Sequence, residues 1–340
     1  MLSEHLTMDG EKDSPSPQGW APEDKYLWDF WTVEKDGQHH MFYLQAPRDI
    51  SHPEMRHGMA TVGHAVSDDL VNWEEIGTAL EPGSKGSWDD TSIWTGSVIE
   101  KDGTYFMFYT SRSSEENGLV QRVGLATSDD LVNWEKQSGP LMEADARWYE
   151  KLGDPGAETE SWRDPQVVYD PSDGFYHAYV CARTNEGPLD SRGCIAHARS
   201  KDLYDWEVLA PISAPGHFSQ MEVPVMHKRG DKYHLFFATD ERSYSASHEN
   251  EIEGSPQTGV FMYVSDRPDG GFRPAGDEVV MGSDTNAYTC RIVQGKDGRD
   301  RLLTWLFEAE GRDGFAGVID TPYLVTYNDD GSIELEHEVY

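Results

Sequence analysis

A seven-residue stretch, Ser67-Asp68-Asp69-Leu70-Val71-Asn72-Trp73, recurs letter for letter as Ser128 to Trp134. A looser copy follows at Ser200-Lys201-Asp202-Leu203-Tyr204-Asp205-Trp206, and a remnant at Ser265-Asp266-Arg267-Pro268 leads to Phe272. The closing aromatics lie 61, 72 and 66 residues apart, so one supersecondary unit is used repeatedly. Upstream of each copy runs a strand-like segment: Gly63-His64-Ala65-Val66, Gly124-Leu125-Ala126-Thr127, Ile195-Ala196-His197-Ala198 and Val260-Phe261-Met262-Tyr263. Further upstream lies a hairpin signal, as in Lys101-Asp102-Gly103-Thr104 before Tyr105-Phe106-Met107-Phe108-Tyr109. Each repeat thus supplies about four short antiparallel strands, the blade of a β-propeller. Hairpin turns at Asp36-Gly37, Asp102-Gly103, Asp173-Gly174, Gly230-Asp231 and Asp297-Gly298 count five blades. The expected fold is all-β: a single-domain five-bladed β-propeller with four-stranded antiparallel blades over residues 23–340, behind a polar, disordered lead-in over 1–22.

Charge narrows the partners. With 28 basic against 62 acidic residues the formal net charge is −34, which disfavours nucleic acid and anionic membrane surfaces. No run approaches the roughly 20 apolar residues of a membrane span. The first residues, polar and partly acidic, do not read as a secretory signal, so a cytoplasmic location is expected, with export left open for a longer natural chain. Only 11 of the basic residues are Lys. An acidic, Lys-poor surface suits a protein working in high salt, where screening suppresses self-repulsion. The three cysteines, Cys181, Cys194 and Cys290, sit in strand-like surroundings and are expected as buried thiols, a Cys181–Cys194 pair being the alternative. Neither their spacing nor that of the thirteen histidines matches a metal motif, so no metal or cofactor is expected.

The repeat also locates a site. Counted back from each hairpin turn, Asp29, Thr95, Asp164, Glu222 and Thr289 fall at comparable positions, 7, 7, 9, 8 and 8 residues ahead. All five then head the innermost strand of a blade and converge on one axial funnel. Three are acidic. Carboxylates gathered among Trp28, Trp31, Trp94 and Trp162 must raise at least one pKa through desolvation and mutual repulsion, which makes Asp29, Asp164 and Glu222 candidate catalytic residues. A calcium site is the bland alternative, but calcium takes six to eight oxygens rather than indoles. Trp28, Trp31, Gln45, Trp94, Ser97, Arg163 and Tyr288 complete the candidate substrate-binding set. Two irregular stretches, Ala46 to Ala60 and Glu241 to Gln257, read as loops bordering the site, and Ala144 to Leu152 as one short helix.

At these residues the chain resembles the five-bladed glycosidases of glycoside hydrolase families 32 and 68, the β-fructosidases and levansucrases, with family 43 as a more distant relative. Trp28-Asp29-Phe30-Trp31 is similar to the family 68 nucleophile motif. Gly63 to Trp73 resembles the blade 1 signature of family 32, and Trp94-Thr95-Gly96-Ser97 the Ser-Gly-Ser segment of both. Trp162-Arg163-Asp164-Pro165 is similar to their Arg-Asp-Pro motif, and Met221-Glu222-Val223-Pro224 stands where they carry the acid/base Glu. The resemblance implies double displacement on a β-fructofuranoside such as sucrose or a fructan. Asp29 would be the nucleophile, Glu222 the acid/base, and Asp164 with Arg163 the sugar-hydroxyl binders. Trp28 and Trp31, narrowing the funnel at Asp29, favour the short carboxylate separation of a retaining enzyme, about 5–5.5 Å. The Asn-Asp-Pro-Asn-Gly of family 32 is absent at Asp29, Val223 replaces the usual Cys or Arg, and no β-sandwich segment follows the propeller. An inverting family-43-like arabinofuranosidase or xylosidase is therefore the rival, and hydrolysis versus transfructosylation stays open. A catalytically dead sugar-binding propeller and a protein-interaction propeller are the non-enzymatic alternatives.

The charge balance generates a measurable expectation. Thermal midpoints should fall steadily from molar to millimolar NaCl as acidic repulsion goes unscreened. A flat or rising midpoint would overturn the high-salt assignment.

Overall fold

A computed structural model describes residues 18–338. Blade 1 is β1 (Lys25–Lys35), β2 (Gln38–Pro47), β3 (Thr61–Ser67) and β4 (Trp73–Leu80). Blade 2 is β5 (Ile93–Lys101), β6 (Thr104–Ser111), β7 (Arg122–Ser128) and β8 (Glu135–Lys136). Blade 3 comprises β9 (Trp162–Asp170), β10 (Phe175–Arg183), β11 (Gly193–Ser200) and β12 (Trp206–Ser213). Blade 4 comprises β13 (Glu222–Arg229), β14 (Lys232–Thr239), β15 (Gly259–Ser265) and β16 (Arg273–Met281). Blade 5 holds β17 (Ala287–Gln294), β18 (Asp300–Leu306), the short β19 (Val318–Ile319), β20 (Tyr323–Tyr327) and β21 (Ile333–His337). Every blade is an antiparallel meander, and the innermost strands β1, β5, β9, β13 and β17 pack side by side into a closed ring. The expected five-bladed propeller is therefore the fold.

The repeated stretch is a turn between the third and fourth strands. Ser67 Oγ accepts from the amides of Asp69 and Leu70, and Asp69 Oδ1 accepts from those of Val71 and Asn72. Ser128/Asp130 and Ser200/Asp202 repeat the pattern. These bonds hold Leu70, Leu131 and Leu203 at φ 67, 71 and 77, a left-handed conformation that costs a branched side chain about 1 kcal/mol or more. The leucines are buried, and the closing indoles seal one blade to the previous one. Trp134 meets Phe42 of blade 1 edge-on at 5.5 Å, and Trp206 meets Phe108 of blade 2 at 5.6 Å. Such aromatic contacts are where the chain's 39 aromatic side chains are spent.

Of the lead-in expected over 1–22, residues 1–17 lie outside the described residues. Trp20 beyond them is no lead-in: it pairs with Ile319 and packs on Trp73, joining the start of the chain to the last blade. The helix expected over Ala144 to Leu152 is absent. One turn forms at Asp145, and the chain is then pulled out straight by side-chain anchors. Tyr149 is fully buried with its hydroxyl donating to Leu209 O, and Glu150 is paired with Arg183 and Arg192. Conversely, both loops expected to be irregular contain short helices, α1 (Arg56–Met59) and α2 (Ala246–Glu249). Cys181, Cys194 and Cys290 are buried free thiols, so Cys181 and Cys194 do not pair.

Blades 1 and 3 each bury a histidine pair at matching places. His40 Nδ1 lies 2.9 Å from His64 Nε2, and His177 Nδ1 lies 2.8 Å from His197 Nε2. Desolvation depresses the pKa of His64 to about 3 and of His197 to about 4. The folded values lie below the unfolded value near 6.5, so the neutral pairs contribute stability that is present above about pH 6.5 and lost as pH falls. Blade 2 places Phe106 and Leu125 where blade 1 has His40 and His64. The double variant His40→Phe/His64→Leu should show a smaller drop in thermal midpoint between pH 7 and pH 4 than the parent. An unchanged acid slope would show that the pair does not titrate on unfolding.

Candidate active site

In all five inner strands the pairing with the second strand slips at the same level. The last paired residues before the slip are Trp28, Trp94, Arg163, Glu222 and Tyr288, and the residues immediately after are Asp29, Thr95, Asp164, Val223 and Thr289. Asp164, Val223 and Thr289 there adopt φ of 59, 48 and 54. Neighbours on a regular strand point to opposite faces, whereas a bulge re-aims the chain and lets two consecutive side chains address one space. Counting from the hairpins placed Glu222 level with Asp29 and Asp164; the register shows it one step earlier, level with Trp28, Arg163 and Tyr288. The error arose because blades 3, 4 and 5 insert two residues at the bulge and blades 1 and 2 only one.

The two levels open onto a cavity of about 960 Å³ lined by Trp28, Asp29, Trp94, Arg163, Asp164, Glu222 and Tyr288, seven of the expected site residues. The structure does not bring Trp31, Ser97 and Gln45 to it. Trp31 and Ser97 lie deeper, at a cavity of about 150 Å³ further along the axis, where Ser97 Oγ accepts from the Val167 amide. Trp31 stacks on Phe42, so it does not narrow the funnel at Asp29. Gln45 points into blade 1, donating to Thr61 and Thr78. Both expected border loops do reach the cavity, through Glu54, Arg56 and His57 and through Glu241 and Arg242.

Each carboxylate has its own surroundings. Asp29 accepts from Thr95 Oγ1 at 2.6 Å and from Trp305 Nε1 at 3.0 Å. Glu222 accepts from Arg163 Nη2 at 2.7 Å and from the Tyr288 hydroxyl at 2.6 Å. Asp164 accepts from the Val223 amide at 3.2 Å and lies 3.5 Å from Arg163 Nε. Arg163 is fixed in turn by Gln220 and Gln121. Burial raises the pKa of Asp29; the Thr95 and Trp305 bonds oppose the rise and the charge of Glu222 adds to it. Burial also lifts Asp164 to about 7, against the pull of Arg163 and with help from Asp29 and Glu222. Arg291 is buried close enough for its charge to act on Asp29 and Asp164. Thr95, Trp305, Gln121, Gln220 and Arg291 were not singled out from the sequence as site residues. Thr95 was visible as a repeat position, while Trp305, on the second strand of blade 5, carries no motif. Among the described residues the one trio of side chains spaced for a metal ion lies outside this cavity, in blade 4.

Fold and site together define a five-bladed propeller of the glycoside hydrolase kind. The chain belongs to glycosyl hydrolase family 32: the profile of the "Glycosyl hydrolases family 32 N-terminal domain" matches residues 22–332. It is 26% identical over 305 residues to a sucrose-6-phosphate hydrolase of Zymomonas mobilis, covering 84% of this chain and 54% of the relative. It is 25% identical to a raffinose invertase of Escherichia coli, covering 85% and 55%. The chain thus spans about half the length of the curated relatives it matches. Among solved structures it superposes on an inulosucrase from Halalkalicoccus jeotgali bound to kestose with TM-score 0.77 at 21% identity, covering 95% of this chain and 92% of that one. A levansucrase from Gluconacetobacter diazotrophicus gives TM-score 0.73 at 18% identity, covering 93% and 81%. No helix among the described residues is long and apolar enough to cross a membrane.

The buried Asp164 makes a stability test. Its folded pKa, raised to about 7, exceeds the unfolded value, so the folded chain holds the extra proton between about pH 4 and 7. Stability from this group therefore declines as pH climbs through that window. Asp164→Asn should have a higher thermal midpoint than the parent at pH 8, an advantage that shrinks toward pH 4. An advantage that grows toward acid would reverse the assigned shift.

Proposed function

We propose that the protein is a retaining glycosidase acting on β-fructofuranosides of the sucrose or fructan type, by hydrolysis or transfer of the fructosyl group. The observation that carries this is the pairing of two carboxylates at one cavity with opposite support. Asp29 is held by two neutral donors and leaves its charge for an electrophile, whereas Glu222 is held by a cation and a phenol. Asp29 would attack the anomeric carbon, its rotamer fixed by Thr95 and Trp305, so that no orientational freedom is lost at the moment of reaction. Glu222 would give its proton to the departing glycosidic oxygen and later take one from water or from an acceptor sugar hydroxyl. Arg163 and Asp164 would grip fructosyl hydroxyls, with bonds that strengthen as the ring flattens toward the oxocarbenium-like transition state. The rim residues Trp94, His57, Arg112 and Arg242 would meet the leaving group or acceptor. Membership of family 32 favours the fructofuranoside over the arabinofuranoside or xyloside of the family-43-like alternative.

Glu222→Gln should lower turnover of sucrose by about 10²–10⁴-fold, the usual range for general acid–base catalysis, and by much less for a fructoside with a good leaving group. Asp29→Asn should be inactive on both, with its fold intact by circular dichroism. Proton NMR of the first-formed sugar should show retained configuration. An inverted product, or near-normal kcat/KM in Asp29→Asn, would remove the double-displacement assignment.

A further inference from the structure

Blade 4 carries a second cluster of chemistry-bearing side chains, away from the cavity. His217 lies between β12 and β13, His248 on α2, and Glu278 on β16. They are 31 and 30 residues apart in sequence, too far for any local motif. The fold brings one ligating atom from each within 4.8 Å of the others. His248 Nε2 is 2.7 Å from Glu278 Oε1, and His217 Nδ1 is 3.9 Å from Glu278 Oε2. The His248 and Glu278 side chains are only 8% and 11% exposed, while His217, at 28%, opens the cluster to solvent. The Tyr263 hydroxyl lies beside it, 2.8 Å from His217 Nδ1 and 3.2 Å from Glu278.

We propose that His217, His248 and Glu278 bind a divalent transition-metal cation of the zinc class, which clips the 241–257 insertion to blade 4. Two imidazole nitrogens and one carboxylate are a donor set that zinc accepts, with a position left for solvent. Calcium and magnesium prefer all-oxygen surroundings and are disfavoured. A tetrahedral ion at 2.0–2.1 Å from each ligand spaces the ligand atoms about 3.4 Å apart. The observed 2.7 and 3.9 Å bracket that spacing. In the metal-free arrangement the two imidazoles lie face to face, 4.0 Å apart and 4° from parallel, so their lone pairs do not yet converge. Ligation turns one ring out of the stack. His217 is the ring free to turn, being the exposed one and following Gly216, which has φ 78.

The cation would act on segments that also shape the cavity. The Ser219 amide donates to Ser243 O at 2.6 Å, and the Ser245 amide to His217 O at 2.8 Å. His217 thus sits on the stretch leading to Gln220 and Glu222, and His248 on the insertion that brings Glu241 and Arg242 to the rim. Glu278, on the outer strand, is the fixed point to which both are tied.

The test is zinc binding by the whole chain after chelator treatment and dialysis, read by calorimetric stoichiometry, thermal midpoint and the visible spectrum with Co²⁺. We expect one Zn²⁺ per chain, a midpoint that rises with added zinc, and Co²⁺ bands of four-coordinate intensity. His217→Ala and Glu278→Gln should each weaken binding by more than about tenfold and abolish the midpoint shift. Only weak binding without defined stoichiometry, or full binding retained in His217→Ala, would overturn the site. Should a variant fail to fold, the parent's Co²⁺ spectrum decides, a six-coordinate spectrum overturning it.

Discussion

The slip in pairing at the head of each inner strand is the constraint from which the site follows. A regular strand would send Trp28 and Asp29, or Arg163 and Asp164, to opposite faces. Five bulges at one level allow consecutive residues to face the axis, so five short strands supply a lining two residues deep. The backbone at Asp164, Val223 and Thr289 is left-handed, a conformation that non-glycine residues hold only when their surroundings insist. Part of that insistence is visible. The Asp164 amide donates to Thr110 Oγ1, and the Val223 amide to the Asp164 carboxylate. The strained residue of blade 4 is thus held by the strained residue of blade 3.

Charge is the second constraint, because three carboxylates gathered in a buried funnel repel one another and resist desolvation. Arg163 answers this for two of them at once, with Nη2 on Glu222 and Nε toward Asp164. Asp29 has no such partner within bonding distance and is supported by the neutral donors Thr95 and Trp305, with Arg291 acting only through its charge. The asymmetry separates the carboxylates chemically although the repeat makes their backbone positions nearly alike. In a chain of net charge −34, arginines are concentrated where substrate would sit: Arg56, Arg112, Arg163 and Arg242 all line the cavity.

Much of this was legible in the sequence because repetition converts spacing into position. The turn residues Ser67, Asp69 and Trp73 recur, so blade number and strand order could be counted. The convergence of Asp29, Asp164 and Glu222 on one cavity followed from the same counting. What counting missed was register: one extra residue in the bulges of blades 3, 4 and 5 moves Glu222 by a step. Trp31, Gln45 and Ser97 failed as lining residues for a related reason, since a bulge changes which neighbours point inward and leaves the rest packing between strands. Trp305 was invisible because its role comes from the second strand of another blade. The Ala144 to Leu152 helix failed because the buried Tyr149 and the paired Glu150 override local propensity.

The same contacts bear on how the ring closes. Blades 1 and 5 share no strand, and the seam between them is held by the Trp20–Ile319 bridge and by Arg48 donating to Ala316 O. Trp305 of blade 5 crosses that seam to reach Asp29 of blade 1, while Thr95 reaches the same carboxylate from blade 2. Asp29 is therefore oriented by the first, second and last blades together, and is correctly posed only when the ring is shut. A partly open propeller would keep the Arg163–Glu222 pair, which joins the adjacent blades 3 and 4, yet would lose one of the two donors that fix Asp29. Closure of the fold and orientation of that carboxylate are one event.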